Sequence, residues 1–203
     1  QALKAALIGF PTIEDGGNCV SDIIANGIIP AGMEMMDKAL IHATDDFVKA
    51  GYPRDAESML IVELDGTESE VTELIQRVTK IAQKNNSSSL KISKDDDERL
   101  KFWAGRKAAF PACGDMAPDY YCMDGTIPRG KLAEVLKEIK RLSKKYNLPV
   151  ANAFHAGDGN LHPLIMYDAN EKNSLEKTEK FGADILKYCV KVGGVLTGEH
   201  GVG

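Results

Sequence analysis

The chain has no run of about 18 apolar residues, which excludes a membrane-spanning helix. Its first residues, QALKAALIGF, lack the basic region, long apolar stretch and cleavage site of a secretory signal. An excess of basic charge is missing as well: 25 basic residues stand interleaved against 30 acidic ones, for a net charge of −5. With no basic stripe to follow a phosphate backbone, nucleic acid is not an expected partner. Cysteine is sparse, and Cys19, Cys113, Cys122 and Cys189 form no CxxC pair, which argues against a thiolate zinc site or a disulfide framework. They read as buried free thiols in a reducing compartment, and the chain as soluble and cytoplasmic. Also absent are a GxGxxG turn after a strand and a GxxxxGK[ST] loop, so neither a nicotinamide nor a nucleotide site is expected.

What is present is a core-forming composition, 43% hydrophobic over 203 residues, enough for one ordinary domain or two small ones. Both ends are abrupt, and the chain reads as a fragment. Short β-like runs alternate with amphipathic segments. KAALIGF (4–10) reads as a strand, 12–26 as a helix, IIPAGMEMMD (28–37) as β-like and 38–50 as a helix. MLIVELDG (59–66) is an apolar strand, and Thr67 with Glu70 then forms a capping box opening a helix whose Val71, Leu74, Ile75, Val78 and Ile81 share one face. NNSSS (85–89) reads as a mobile loop, 88–93 as a strand, 95–109 as a helix with an acidic first turn, 120–127 as a strand and 129–146 as a helix. Residues 150–167 are β-like, 174–192 helical, and VLTG (195–198) strand-like. These elements imply an α+β fold, an open antiparallel or mixed sheet covered on one face by helices, in ferredoxin-like halves.

Three of the four histidines fall in two short motifs, HAGDGNLH (155–162) and GEHG (198–201). Two glycines followed by Pro163 make a helix across the first motif untenable. Asp158-Gly159 is a two-residue hairpin signal, and counting outward from it sets His155 opposite His162, on one face, with Cβ atoms roughly 4.5–5.5 Å apart. Two imidazoles so placed can converge on one divalent metal. In an extended chain Glu199 and His200 point in opposite directions, so one suits a metal ligand and the other an acid or base. Two histidines and a carboxylate leave positions open for a bidentate ligand such as a 2-hydroxy acid. The plainer alternative is a pair of hydrogen-bonded sheet histidines and a glutamate capping a turn. Flanking glycines favour function, because they permit close approach by a ligand or cofactor. His42, in a helix, reads as structural.

HAGDGNLHP (155–163) and GGVLTGEHGVG (193–203), with FWAGRKAAF (102–110) and DGTIPRGKL (124–132) upstream, resemble the C-terminal domain of FAD-linked oxidases of the vanillyl-alcohol oxidase type. The likeness covers 102–203 and, more loosely, the whole chain. It is greatest to the branch containing the glycolate oxidase D subunit, D-lactate dehydrogenase and D-2-hydroxyglutarate dehydrogenase. The resemblance implies that residues 1–203 are the substrate-binding cap and C-terminal catalytic portion, with FAD held mainly by an N-terminal domain absent from this chain. It implies His155, His162 and Glu199 as ligands of a divalent metal (Zn, Mn or Fe) and His200 as the base for the hydroxyl proton. Arg106 would hold the substrate carboxylate, Asn160 would lie near the substrate, and Glu199 and Gly201 near the flavin. Where D-2-hydroxyglutarate members carry a lysine, this chain has Cys122, which points to glycolate or D-lactate. Electrons would leave to an acceptor protein or quinone, and partner subunits are expected.

Arg106 suits its implied role, since a guanidinium can grip a carboxylate by two parallel hydrogen bonds. Trp103 reads as core and Arg129 as structural. DDDE (95–98) favours a helix N-terminus and lacks the spacing of a calcium loop. The expected activity is oxidation of a small D-2-hydroxy acid to the 2-oxo acid. Its rivals are a metal hydrolase using the same His/His/Glu set and a non-catalytic binding module.

Overall fold

The computed structural model describes residues 2–201. Its first half comprises β1 (Ala2–Phe10), α1 (Ile13–Ala25), β2 (Gly32–Asp37), α2 (Lys38–Val48), β3 (Ser58–Gly66), α3 (Glu68–Lys84) and β4 (Ser89–Ile92). After α4 (Asp96–Lys107) and α5 (Ala109–Cys113), the second half comprises β5 (Asp119–Cys122), β6 (Gly125–Thr126), α6 (Leu132–Tyr146), β7 (Val150–His155), β8 (Asn160–Tyr167) and α7 (Ser174–Lys191). All described strand pairs are antiparallel, in the order β4-β1-β3-β2-β7-β8-β5, with β6 beside β8. The first four strands thus follow the ferredoxin-like order, with α2 inserted between β2 and β3. The second half repeats it as β7-β8-β5/β6, and the halves join where Glu34, Met35 and Met36 of β2 pair with His155, Phe154 and Ala153 of β7.

Helices cover both faces of the sheet, not one. On the first face, Ala6, Ile8, Phe10, Leu60, Val62, Phe154, Leu161 and Ile165 pack under α1, α3, α6 and α7. On the second, Leu7, Met36, Ile61, Ala151, Ala153, Leu164 and Met166 pack against α2, α4 and α5. Continuous apolar runs such as MLIVEL are what a strand buried on both sides requires. The Thr67–Glu70 capping box is present, and Asp95 caps α4 ahead of its acidic first turn. The NNSSS connection is a held turn: Asn86 adopts a left-handed conformation, Ser87 N donates to Ala82 O, and Ser88 N donates to Gly9 O.

Three second-half expectations change. The strand expected over 120–127 is interrupted at Met123 and Asp124. Opposite this gap lies Pro163, whose carbonyl accepts from Met123 N but which has no N–H to give back. The helix expected from Arg129 opens as a single 3-10 turn, Arg129–Lys131. VLTG, in the place of the second half's fourth strand, contributes one bridge, Val195 to Thr126. Its following amides are taken by Asp124, so no ladder continues.

Gly105 of α4 lies so close to Tyr52 that a Cβ there would overlap the phenol ring. In an open helix Gly→Ala gains roughly 1 kcal/mol. Here Gly105→Ala is expected to lower the unfolding free energy by about 1–3 kcal/mol through overpacking. Urea denaturation followed by the fluorescence of the single tryptophan, Trp103, measures it; unchanged or higher stability would show that Tyr52 is not wedged there.

Candidate functional site

The site is an extension of the second face of the sheet. The rows that present Met36, Ala153 and Leu164 to the core present Glu34, His155 and His162 farther along, because side chains two residues apart share a face. The hairpin register differs from the expected one. The connection is the four residues Ala156 to Gly159, with Gly159 at positive φ and the amides of Asp158 and Gly159 bonded to His155 O. His155 therefore opposes Asn160, and His162 opposes Ala153. The shift of two residues preserves the face, so the histidines meet diagonally, ring centroids 5.1 Å apart and edge to face. Arg129 donates to Gly157 O at 2.9 Å and so holds this connection, a structural role as expected.

Second-half residues bring in the other motif. Asp124, fully buried, turns inward at the gap between β5 and β6. Its carboxylate accepts from the backbone amides of Gly198 (3.0 Å), Glu199 (2.9 Å) and Gly201 (2.8 Å), from the Thr197 hydroxyl (2.7 Å) and from Asn160 Nδ2 (2.7 Å). Burial works to raise its pKa, but the hydrogen bonds outweigh burial and hold the carboxyl well below the usual carboxylate range. Residues 197–201 are thereby bent around one oxygen pair and are not extended. Glu199 and His200 consequently both reach His162: Glu199 Oε2 lies 3.1 Å from His162 Nε2, and the His200 ring stacks on the His162 ring at 5.1 Å. Gly198 is needed because a Cβ would overlap Asn160 and Thr126; the close approach is by the protein itself. Gly201, at positive φ, donates its amide to Asp124 and has open space where a Cβ would stand.

Each imidazole is oriented through Nδ1. That atom of His155 donates to Glu34 Oε1 at 2.7 Å, and that of His162 donates to Met123 O at 3.4 Å. In the neutral rings the Nε2 lone pairs then face Glu199 Oε2, 3.6 Å from His155 and 3.1 Å from His162. The Glu34 hydrogen bond raises the His155 pKa, whereas burial, and then the neighbouring His155, lower that of His162. The three donor atoms lie within 4.8 Å of one another. Donors about 2.0–2.1 Å from a shared octahedral or tetrahedral ion stand roughly 3.0–3.4 Å apart, and the two imidazole–carboxylate distances, 3.1 and 3.6 Å, lie near that span. The Glu34 and Met123 contacts are the outer-shell bonds such ligands use.

Arg106 does not touch the histidines directly. Its Nε donates to Glu34 Oε2 at 2.9 Å, so one carboxylate ties the guanidinium to His155. Its backbone amide donates to Tyr52 Oη, and its terminal nitrogens make no hydrogen bond to a described residue, leaving a two-pronged donor edge free. Glu34 and Asp124 were not singled out from the sequence. The available signals were a charge among methionines, GMEMMD, and an Asp-Gly pair closing a strand. Trp103 packs at the second core with Nε1 donating to Glu63, His42 bonds the Arg54 carbonyl, and all four cysteines are buried and free, as expected.

Beside the site, Val195 and Leu196 are exposed and Gly201 has open space at its Cβ position, while the amides of Glu199 and Gly201 are taken by Asp124.

Residues 1–203 match the family described as FAD linked oxidases, C-terminal domain. The chain is 55% identical over 200 residues to the glycolate oxidase subunit GlcD of Escherichia coli (strain K12), covering 98% of this chain and 40% of that protein. It is 30% identical over 205 residues to a mitochondrial D-lactate dehydrogenase [cytochrome] of Arabidopsis thaliana, covering 100% of this chain and 36% of that protein. The chain thus spans well under half the length of these relatives. Among solved structures, p-cresol methylhydroxylase with substrate bound superposes with a TM-score of 0.72 at 14% identity, covering 97% of this chain and 45% of that one, a likeness of fold. With the family match running from end to end, the chain belongs to the FAD linked oxidases, as their C-terminal domain.

Proposed function

We propose that residues 1–203 are the substrate-binding and C-terminal catalytic portion of an enzyme that oxidises a small D-2-hydroxy acid, of the glycolate or D-lactate type, to the 2-oxo acid. The observation that carries this is the convergence of His155 Nε2, His162 Nε2 and Glu199 Oε2 on one space, with His200 beside them and the free edge of Arg106 linked through Glu34. Arg106 grips the substrate carboxylate. Glu34 sets its direction and, by the same carboxylate, the tautomer of His155. A divalent ion at His155, His162 and Glu199, of the Zn, Mn or Fe class, would supply polarisation of the substrate hydroxyl. His200 takes the hydroxyl proton. Asn160, opposite His155, borders the substrate. FAD, held mainly by parts of the protein outside these residues and here by the Glu199–Gly201 backbone, supplies the two-electron acceptor. The electrons then pass to an acceptor protein or quinone, and partner subunits fit the relative that is itself a subunit. The buried free thiols suit a reducing compartment, so we assign the cytoplasm. The hydrolase reading loses its footing in the family, whose members are linked to FAD.

Two outcomes test this. In the full-length protein, elemental analysis should find about one divalent ion per chain, and His155→Ala or His162→Ala should each remove it, as loss of one of three ligands requires; metal-free yet fully active wild type would leave the histidines as substrate contacts. For the base, His200→Asn should keep flavin content and substrate affinity while slowing flavin reduction by roughly 10²–10⁴-fold. Arg106→Lys should instead weaken substrate binding along with rate, since a point charge cannot reproduce the two-pronged contact. Anaerobic stopped-flow reduction at the wild-type rate in His200→Asn would contradict the assignment of His200.

A further inference from the structure

One side chain beside the histidines has no part in the proposed chemistry. Cys122, at the end of β5, is 5% exposed, and its Sγ lies 4.0 Å from His200 Nε2. His200 in turn stacks on His162 with the ring planes 16° apart. Donor atoms of Cys122, His162 and His200 all lie within 4.8 Å of one another, somewhat more open than the 3.1 and 3.6 Å contacts of Glu199 with His162 and His155. From this geometry we infer that Cys122, His162 and His200 form a second, inhibitory site for a soft divalent cation such as Cd²⁺ or Zn²⁺, sharing His162 with the first.

The donors differ in the way that separates metals. Two imidazoles and a carboxylate accept a broad range of divalent ions, whereas a sulfur with two imidazoles selects soft or borderline ones. A tetrahedral zinc with S at about 2.3 Å and N at about 2.0–2.1 Å holds those atoms roughly 3.6 Å apart. Because the His162 and His200 rings lie nearly parallel, their in-plane lone pairs meet one ion only when His200, which is exposed, rotates out of the stack as it closes the 4.0 Å to the buried Cys122. Burial, and then the Asp124 carboxylate, push the Cys122 thiol up to about 11, so the ion must displace the proton and does not meet a ready thiolate. On binding, the S–H bond breaks, the sulfur–metal bond forms and the proton leaves to water. The exposed side of His200 leaves the fourth position to water. The two sites cannot fill together through the same nitrogen of His162, whose Nδ1 faces the Met123 carbonyl. The inhibitory half rests on His200 being the base: an imidazole whose lone pair is on the ion cannot take the hydroxyl proton.

The test uses full-length flavoprotein, wild type beside Cys122→Ser and Cys122→Ala, titrated with CdCl₂. Two readouts run together: the ultraviolet thiolate-to-cadmium charge-transfer band, and anaerobic flavin reduction by glycolate. Wild type should develop a saturating band as reduction slows, with both reversed by chelator followed by the native ion. Both variants should lack the band and need at least about tenfold more Cd²⁺ for the same slowing, the low end of what even outer-shell changes cost a site. No band in wild type, an unchanged band in both variants, or equal inhibition of all three overturns the site. A saturating, Cys122-dependent band in a protein that no 2-hydroxy acid reduces would keep the site and defeat the proposed activity instead.

Discussion

Five donors on the buried carboxylate of Asp124 are what gathers the candidate site residues onto a ferredoxin-like half. Had residues 195–201 completed the fourth strand of that half, Glu199 and His200 would point to opposite sides of a sheet edge. Bent around Asp124, they reach His162 from its edge and from its face. Hydrogen bonds to a charged acceptor contribute on the order of 1.5–3 kcal/mol each, and their loss would leave three backbone amides without the partner they share. The carboxylate also takes Asn160 Nδ2, which fixes the residue opposite His155 in the same network.

Glu34 performs the matching task on the β2 side. It is part-buried between a guanidinium and an imidazole, and a buried charge of this kind persists only when paired. Because Arg106 meets it through Nε, the ion pair leaves the terminal edge of the guanidinium unspent. Tyr52 anchors the same arginine by its backbone, against a helix surface bared by Gly105. The groups that the proposed function assigns to the carboxylate, the hydroxyl and the proton thus sit on three separate parts of the fold, α4, the β7–β8 hairpin and the 197–201 bend, joined by two carboxylates.

Much of this was legible in the sequence, and the misses have physical causes. The hairpin loop was placed two residues too short, both on the β7 side, yet both histidines kept their face because a side-chain period of two forgives a shift of two. The capping box and acidic helix start are local signals and came through intact. The break at Met123–Asp124 depends on Pro163, forty residues downstream and on the neighbouring strand, which no local pattern around 120–127 carries. Helical cover on the second face comes from α2, α4 and α5, with α2 packing on β7 and α4 on β1, again long-range facts. Glu34 was not singled out, because its partners Arg106 and His155 come from α4 and β7, far along the chain. His155, His162, Glu199 and His200 could be named because glycines and short spacing set them apart.

The most direct measurement is the substrate dependence of flavin reduction in the full-length wild-type protein under anaerobic conditions. Glycolate or D-lactate should bleach the flavin and yield one equivalent of the 2-oxo acid, whereas acetate and propionate, which keep the carboxylate for Arg106 but lack the hydroxyl, should bind without reducing it. A flavin left fully oxidised by every 2-hydroxy acid tested would contradict the account.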